Sequence, residues 1–482
     1  MKIIELHRTS TYASGASSSK PVIADRSTRI GFFLLLGLVA ATSTFFATSS
    51  TATLLFSFFI YFVGVLTSWC AGRRSGRHEV VSLFCLVFTA YVFLAINHYL
   101  GYSSDWGGFA QDWRDEYKFY QMAVQNEHLS VPEIFKKSFV DRAYLEYGGY
   151  VFYISALASL AFQWFDGNHL LLQFLGTVAF GALTTIFVFK SIELYVDRRR
   201  AFWFTLMFML CSVFVLYSYT LLRDVLIAFF YSVGFYLALV SRFRRSYFVV
   251  LVMVVVNAVL WELRFESGLF FSLITLYASY QVFKGNALAL GVLGVLALFL
   301  FLAVLYSNVL DAVSALDNYS QFTLDKTGEK EDSFAKYLYQ LPSGIKHAAI
   351  LLNSQIQPFP SWGAAQAANN VYQFAGGVVQ VIASYFWFVV FVSLVFWLAD
   401  GRYYRIIPPE LKFLGLVCVV FILLNTANMT SRRIMCVYPV LYLIYVYFLT
   451  NVVSKRSAYR ALGLAAMIYM FMVVVYLLAK NI

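Results

Sequence analysis

The sequence predicts an all-α polytopic membrane protein with about thirteen transmembrane helices, twelve to fourteen according to where their edges are drawn. Three observations predict it. Hydrophobic residues make up 61% of the chain and charged residues 13%, with a mean hydropathy of +0.71, so the solvent of most side chains is lipid. Apolar runs close to the roughly 20 residues that cross a bilayer recur along the whole length. Lys and Arg gather in short clusters between alternate runs, which is how a membrane protein is oriented. The formal charge of +11 therefore reflects topology, and no nucleic-acid partner is expected.

In chain order, residues 1–29 are polar, Ser/Ala-rich and basic, and read as a disordered cytoplasmic tail. The first apolar run lacks the small-residue cleavage site of a signal peptide. Residues 30–482 read as a single transmembrane domain. Spans are expected at 30–48, 52–70, 79–98, 168–189, 201–220, 225–241, 247–262, 267–283, 287–307, 377–398, 411–427, 433–450 and 461–478. A further apolar stretch at 147–165 is decided by parity. If it crossed, every basic loop after it would move to the opposite face, against the positive-inside rule. It is therefore expected to be re-entrant or a surface helix. Two long loops then fall on the non-cytoplasmic, periplasmic face, 101–149 and 310–374, and loops this long without structure of their own are usually functional. The cysteines at 70, 85, 211, 418 and 436 form no CxxC pair and read as free thiols.

Four sets of charges are candidates for chemistry. The first long loop holds Asp105, Asp112, Asp115 and Glu116, and helical spacing from Asp115 puts two carboxylates at the start of a surface helix that also carries Tyr117 and Tyr120. A carboxylate there suits a general base towards a hydroxyl group, and Asp112, Asp115 and Glu116 stay open for that role. Arg223 and Asp224 sit at an external turn, where a boundary charge is costly and Arg offers a planar fork matched to phosphate. Asp224 is the other candidate catalytic acid. Glu262, Arg264 and Glu266 occupy another turn on the same face, and Arg432 and Arg433 a third. Arginines on the face where they are disfavoured point to an anionic ligand such as a lipid diphosphate. The second long loop supplies His347 and Trp362, the latter either stacking on a sugar or anchoring the loop at the interface. The six histidines are scattered, so no metal or other cofactor is indicated, and there is no P-loop, GxGxxG or nucleophile elbow.

The acids of the first loop, followed by Tyr147-Gly-Gly-Tyr and then Leu222-Arg-Asp-Val-Leu-Ile-Ala-Phe, resemble lipid-dependent glycosyltransferases of the GT-C fold. The same region, chiefly residues 100–265, is similar to the Wzy-type and EpsG-like polymerases of O-antigen and exopolysaccharide. The resemblance implies a bacterial inner-membrane enzyme with a cytoplasmic N-terminus and a periplasmic active site. It would polymerise or transfer glycan units linked to a polyprenyl diphosphate. Asp115 or Glu116 would match the base, and Arg223, Arg264, Arg432 and Arg433 the diphosphate-binding arginines, with Tyr117, Tyr120, Glu262, Glu266, His347 and Trp362 near the substrate. Membrane lipid and a polysaccharide chain-length regulator are the implied partners. The alternatives are a single-sugar GT-C transferase using a polyprenyl-phosphate sugar, and a transporter or flippase of lipid-linked glycans. The metal-binding acid set of some GT-C enzymes has no match here.

Overall fold

A computed structural model describes residues 23–72, 76–106, 114–144, 147–243, 245–287, 291–292, 294–296, 302, 342–356, 359–425 and 431–480. In lipid a backbone must satisfy its own hydrogen bonds, and the apolar runs do so as helices, with no strand among the described residues. The elements are α1 (Ile23–Thr48), α2 (Thr51–Ala71), α3 (Arg77–Trp106), α4 (Arg114–Asn126), α5 (Val131–Phe135), a π-helix (Lys136–Val140), α6 (Gly148–Trp164), α7 (Leu170–Glu193), α8 (Arg198–Cys211) and α9 (Val213–Tyr217). There follow α10 (Asp224–Ser241), α11 (Tyr247–Leu263), α12 (Phe265–Phe283), α13 (Ser343–Ile356), α14 (Val371–Ala399), α15 (Pro409–Asn425), α16 (Ser431–Ile434), α17 (Tyr438–Asn451) and α18 (Lys455–Lys480). Eight helices among the described residues are long and apolar enough to cross a membrane, and the chain is an all-α multi-pass membrane protein. Those eight fall on the expected spans in α1, α2, α3, α7, α10, α14, α17 and α18. The expected spans at 247–262, 267–283 and 411–427 are the helices α11, α12 and α15. That at 287–307 lies largely outside the described residues, and residues 1–22 and 303–341 lie wholly outside them.

Several boundaries differ from the hydropathy reading for identifiable reasons. Helix α1 begins at Ile23, inside the segment expected to be tail, because Asp25, Arg26 and Arg29 end an apolar run without ending a helix. Helix α3 continues past 98 to Trp106, and its polar extension is held by a neighbour. Asn370 and Gln373 each donate to the Gly101 carbonyl at 2.9 Å. A side chain at Gly101 would meet Tyr372 Cβ at 3.2 Å, so glycine permits the approach. The expected span 201–220 is not one helix. Ser212 interrupts it, accepting from the Phe214 amide, while the Tyr91 hydroxyl donates to the Met209 carbonyl at 2.6 Å and satisfies backbone that the break sets free. The span at 433–450 is likewise preceded by the short helix α16 and a 3₁₀ turn over Met435–Val437 before α17 begins.

The contacts sort the helix ends into two sets. One end of the bundle collects the basic clusters. Arg198 lies against Gly76, Glu193 accepts from Lys190 at 2.9 Å and from Arg198 at 2.8 Å, and Arg242 pairs with Glu410, which also accepts from the Tyr195 hydroxyl. The other end collects the start of α7, α10 and α12 and the finish of α3 and α11. Both ends of α6 lie at this second end. Its first turn packs against the finish of α11, where a side chain at Gly149 would meet the Glu262 carbonyl at 3.1 Å. Past its last turn, Asp166 accepts from the Ser50 hydroxyl and the amides of Thr51 and Ala52, in the turn between α1 and α2. The described part of 101–149 is thus built largely of helix, and α4 covers the helix expected from Asp115.

Candidate functional site

Glu116, in the first turn of α4, has no exposed surface. One carboxylate oxygen accepts from the Leu221 amide at 3.1 Å, and the other lies 3.4 Å from His98 Nε2. His98 is itself enclosed by the rings of Tyr102, Phe174 and Tyr219. Burying a carboxylate is costly unless it is hydrogen-bonded, so Glu116 serves the 218–223 turn as a brace between α4, α3 and the start of α10.

That brace presents Arg223 and Asp224 to the turn between α11 and α12. The extended backbone of Arg264, at φ −163°, breaks the helix there and turns its side chain to Asp224. Arg264 Nη2 donates to Asp224 Oδ1 at 2.5 Å, and Arg223 Nη1 donates to the Leu263 carbonyl at 3.0 Å. The two turns are therefore clasped twice, in opposite directions. Arg223 also lies 4.5 Å from the centre of the Tyr147 ring. Burial, then the cation of Arg264 beside it, presses the Arg223 pKa down to about 10, which leaves it charged at neutral pH. Burial alone would lower Arg264 too, but Asp224 outweighs it and holds that guanidinium above its ordinary value.

The third arginine turn arrives on α16. Arg432 pairs with Asp115, from the first long loop, and Asp224 lies in the field of Arg264, Arg432 and Arg223 together. Arg433 adds its field to that at Arg223 and has no carboxylate within ion-pairing distance among the described residues. The cluster is graded in depth. The Arg264 and Asp224 side chains are 8% and 4% exposed, whereas those of Arg432 and Asp115 are 28% and 44% exposed. Two carboxylates in ion pairs stand against four arginines. The excess of arginines over ion-paired carboxylates among the described residues makes the local field positive, which attracts anions.

Six of the candidate residues are thus brought together from four separate parts of the chain: Asp115, Arg223, Asp224, Arg264, Arg432 and Arg433. Glu116 touches the same elements from behind. Glu262 and Glu266 are exposed at the rim, Glu266 within the field at Arg264. Tyr117 is exposed, and Tyr120 packs against the core. Trp362 lies elsewhere, edge-on to Phe359 and to Tyr476 of α18. Asp112 and the side chain of His347 lie outside the described residues. Among the described residues no three His, Cys, Asp or Glu side chains converge as a metal-binding group. All five cysteines are free.

Sequence reasoning passed over His98. His98 was detectable, since it is an ionisable group in an otherwise apolar span, and such groups are rare without a role. No protein-family model, curated protein or solved structure matches the chain.

Proposed function

We propose that the protein is a glycosyltransferase of the bacterial inner membrane that polymerises or transfers polyprenyl-diphosphate-linked glycan units, as an O-antigen or exopolysaccharide polymerase does. The observation that carries this reading is the convergence of four arginines and two carboxylates, from turns far apart in sequence, at the end of the bundle away from the basic clusters. By the positive-inside rule that end is periplasmic, the N-terminus is cytoplasmic, and the thirteen-span count with α6 on the outer surface follows.

The chemistry asks for little beyond these groups. The acceptor hydroxyl oxygen forms its bond to the anomeric carbon while the bond from that carbon to the phosphate oxygen breaks. The electron pair leaves with the diphosphate, and the hydroxyl proton passes to a carboxylate. Arginines beside the leaving group stabilise the charge that develops there more than they stabilise the ground state. Asp115 suits the base best: it is the more exposed carboxylate of the cluster, while Glu116 is fully buried and engaged and Asp224 is closed under Arg264.

The test is turnover of the purified protein in nanodiscs with polyprenyl-diphosphate glycans, comparing wild type, Asp115→Asn, Glu116→Gln and Arg223→Ala. A glycan ladder that disappears in Asp115→Asn and Arg223→Ala supports a polymerase. A single added sugar favours the simpler transferase, and binding without any product rejects catalysis. A transporter is the second reading, favoured by one feature: the interrupted helices α8–α9 and α16–α17 flank the cluster, as discontinuous helices flank substrate in transporters. Movement of lipid-linked glycan across sealed vesicles without product would establish it.

A further inference from the structure

His98 lies in the apolar length of α3, 8% exposed, and touches the arginine cluster through one intermediary. Its Nε2 is 3.4 Å from one oxygen of Glu116, whose other oxygen accepts from the Leu221 amide at 3.1 Å. A carboxylate only accepts, so the imidazole presents an N–H to it. Glu116 has no exposed surface, and a hydrogen bond withdrawn from water is electrostatically stronger than one at the surface. The three groups form a continuous chain from α3 through α4 to the turn before α10.

The far end of that chain is the arginine. Leu221 is fully buried and stands two residues before Arg223, so at about 3.8 Å per residue their Cα atoms are no more than about 8 Å apart. A displacement of the Leu221 amide carries the Arg223 fork with it. The near end is fixed. The His98 ring meets those of Tyr102 at 5.1 Å, Phe174 of α7 at 5.3 Å and Tyr219 at 5.7 Å. Beside it on α3, Asn97 donates to the Tyr372 carbonyl at 2.8 Å, and the Gly101 carbonyl accepts from Asn370 and Gln373, which anchors this helix end on α14. The place of Nε2 is thus set by α3, α7 and α14.

We propose that His98 is a positioning residue of the arginine cluster, which through Glu116 holds the 218–223 turn where Arg223 meets a phosphoryl anion. The inference rests on the anion-binding part of the transferase reading and not on the transfer step. An arginine fork matches phosphate only in a narrow geometry, so an imidazole that never touches the ligand controls its affinity.

The full-length protein in nanodiscs of zwitterionic lipid is titrated with inorganic pyrophosphate, and glycan transfer is followed in the same preparations. His98→Leu, which removes the donor and keeps apolar bulk, weakens pyrophosphate affinity by about tenfold, the equivalent of one charge-assisted contact. His98→Gln, whose amide nitrogen takes the place of Nε2, restores it. A double-mutant cycle separates positioning from general loosening. In the Arg223→Ala background, where the remaining arginines hold the anion, His98→Leu costs less than about twofold further, whereas in the Arg402→Ala background it keeps its full effect. A general loss of folded protein lowers the amount bound and leaves the affinity unchanged. If His98→Leu is not recovered folded, His98→Asn, too short to reach Glu116 by the same path, takes its place in the cycle with the same expected coupling. Unchanged affinity in the His98 variant, or a loss as large with Arg223→Ala as without it, overturns the inference, and glycan product from wild type then leaves the transferase reading standing. The coupled loss with no glycan product from wild type upholds the positioning role and removes the transferase reading. A wild type that binds no pyrophosphate overturns both.

Discussion

The two ends of the bundle use the same residue types in opposite ways. At the end with the basic clusters most ion pairs are close in sequence, Lys190 and Arg198 with Glu193, Arg200 with Asp197 and Arg402 with Asp400, the exception being Arg242 with the buried Glu410. Most of these cations are open to water, the Arg402 side chain 88% exposed. At the other end the pairs are long-range, Arg264 to Asp224 across 40 residues and Arg432 to Asp115 across 317. Charges that only orient a chain need nothing distant. A single long-range pair such as Arg242–Glu410 ties two helix ends together, whereas several charges drawn from distant turns into one cluster are what an anion-binding site would require.

The comparison is broken most easily at Arg264. Arg264→Ala leaves Asp224 buried and unpaired, and is expected to cost about 3–5 kcal/mol in unfolding free energy measured in detergent. The double variant Arg264→Ala/Asp224→Ala recovers most of that loss; a double variant as unstable as the single one would show that the clasp is not electrostatic. Next in size is the effect of Arg223→Ala on chemistry, a loss of about 2–4 kcal/mol of transition-state stabilisation read as turnover at saturating donor. Glu116→Gln comes third, at about 1–3 kcal/mol, because it leaves a buried acceptor arrangement at Leu221 and His98 imperfectly met. That loss is expected in stability first, with turnover falling only as the 218–223 turn loosens. Proton-exchange protection of the Leu221 amide separates the two. At the opposite end Arg402→Ala is expected to change neither stability nor turnover measurably, since exposed pairs contribute little.

How much of this was readable beforehand follows the same division. Spans were legible because a run of apolar residues in lipid has only the helix available to it, as in α7 and α14. The charge rule puts both ends of 147–165 on one side, and both ends of α6 lie at the end of the bundle away from the basic clusters. The interruption at Ser212 was not legible, because a hydropathy window averages over one serine whose hydroxyl offers the backbone another partner. The arginine turns were each visible as charges between apolar runs, yet nothing local says that Arg432 meets Asp115, or that Arg223 lies against the Tyr147 ring. Glu116 and Asp115 are neighbours in sequence with like composition around them. Only the packing separates a fully buried brace from an exposed partner of Arg432.

The most direct measurement is glycan transfer by Arg223→Ala and Arg402→Ala side by side, in the same nanodiscs and with polyprenyl-diphosphate glycan as donor. The account predicts that Arg223→Ala loses roughly 30-fold or more of its turnover, the lower bound of the 2–4 kcal/mol given above, while Arg402→Ala matches wild type. Equal losses in the two, or an Arg223→Ala protein that turns over as wild type does, would contradict it.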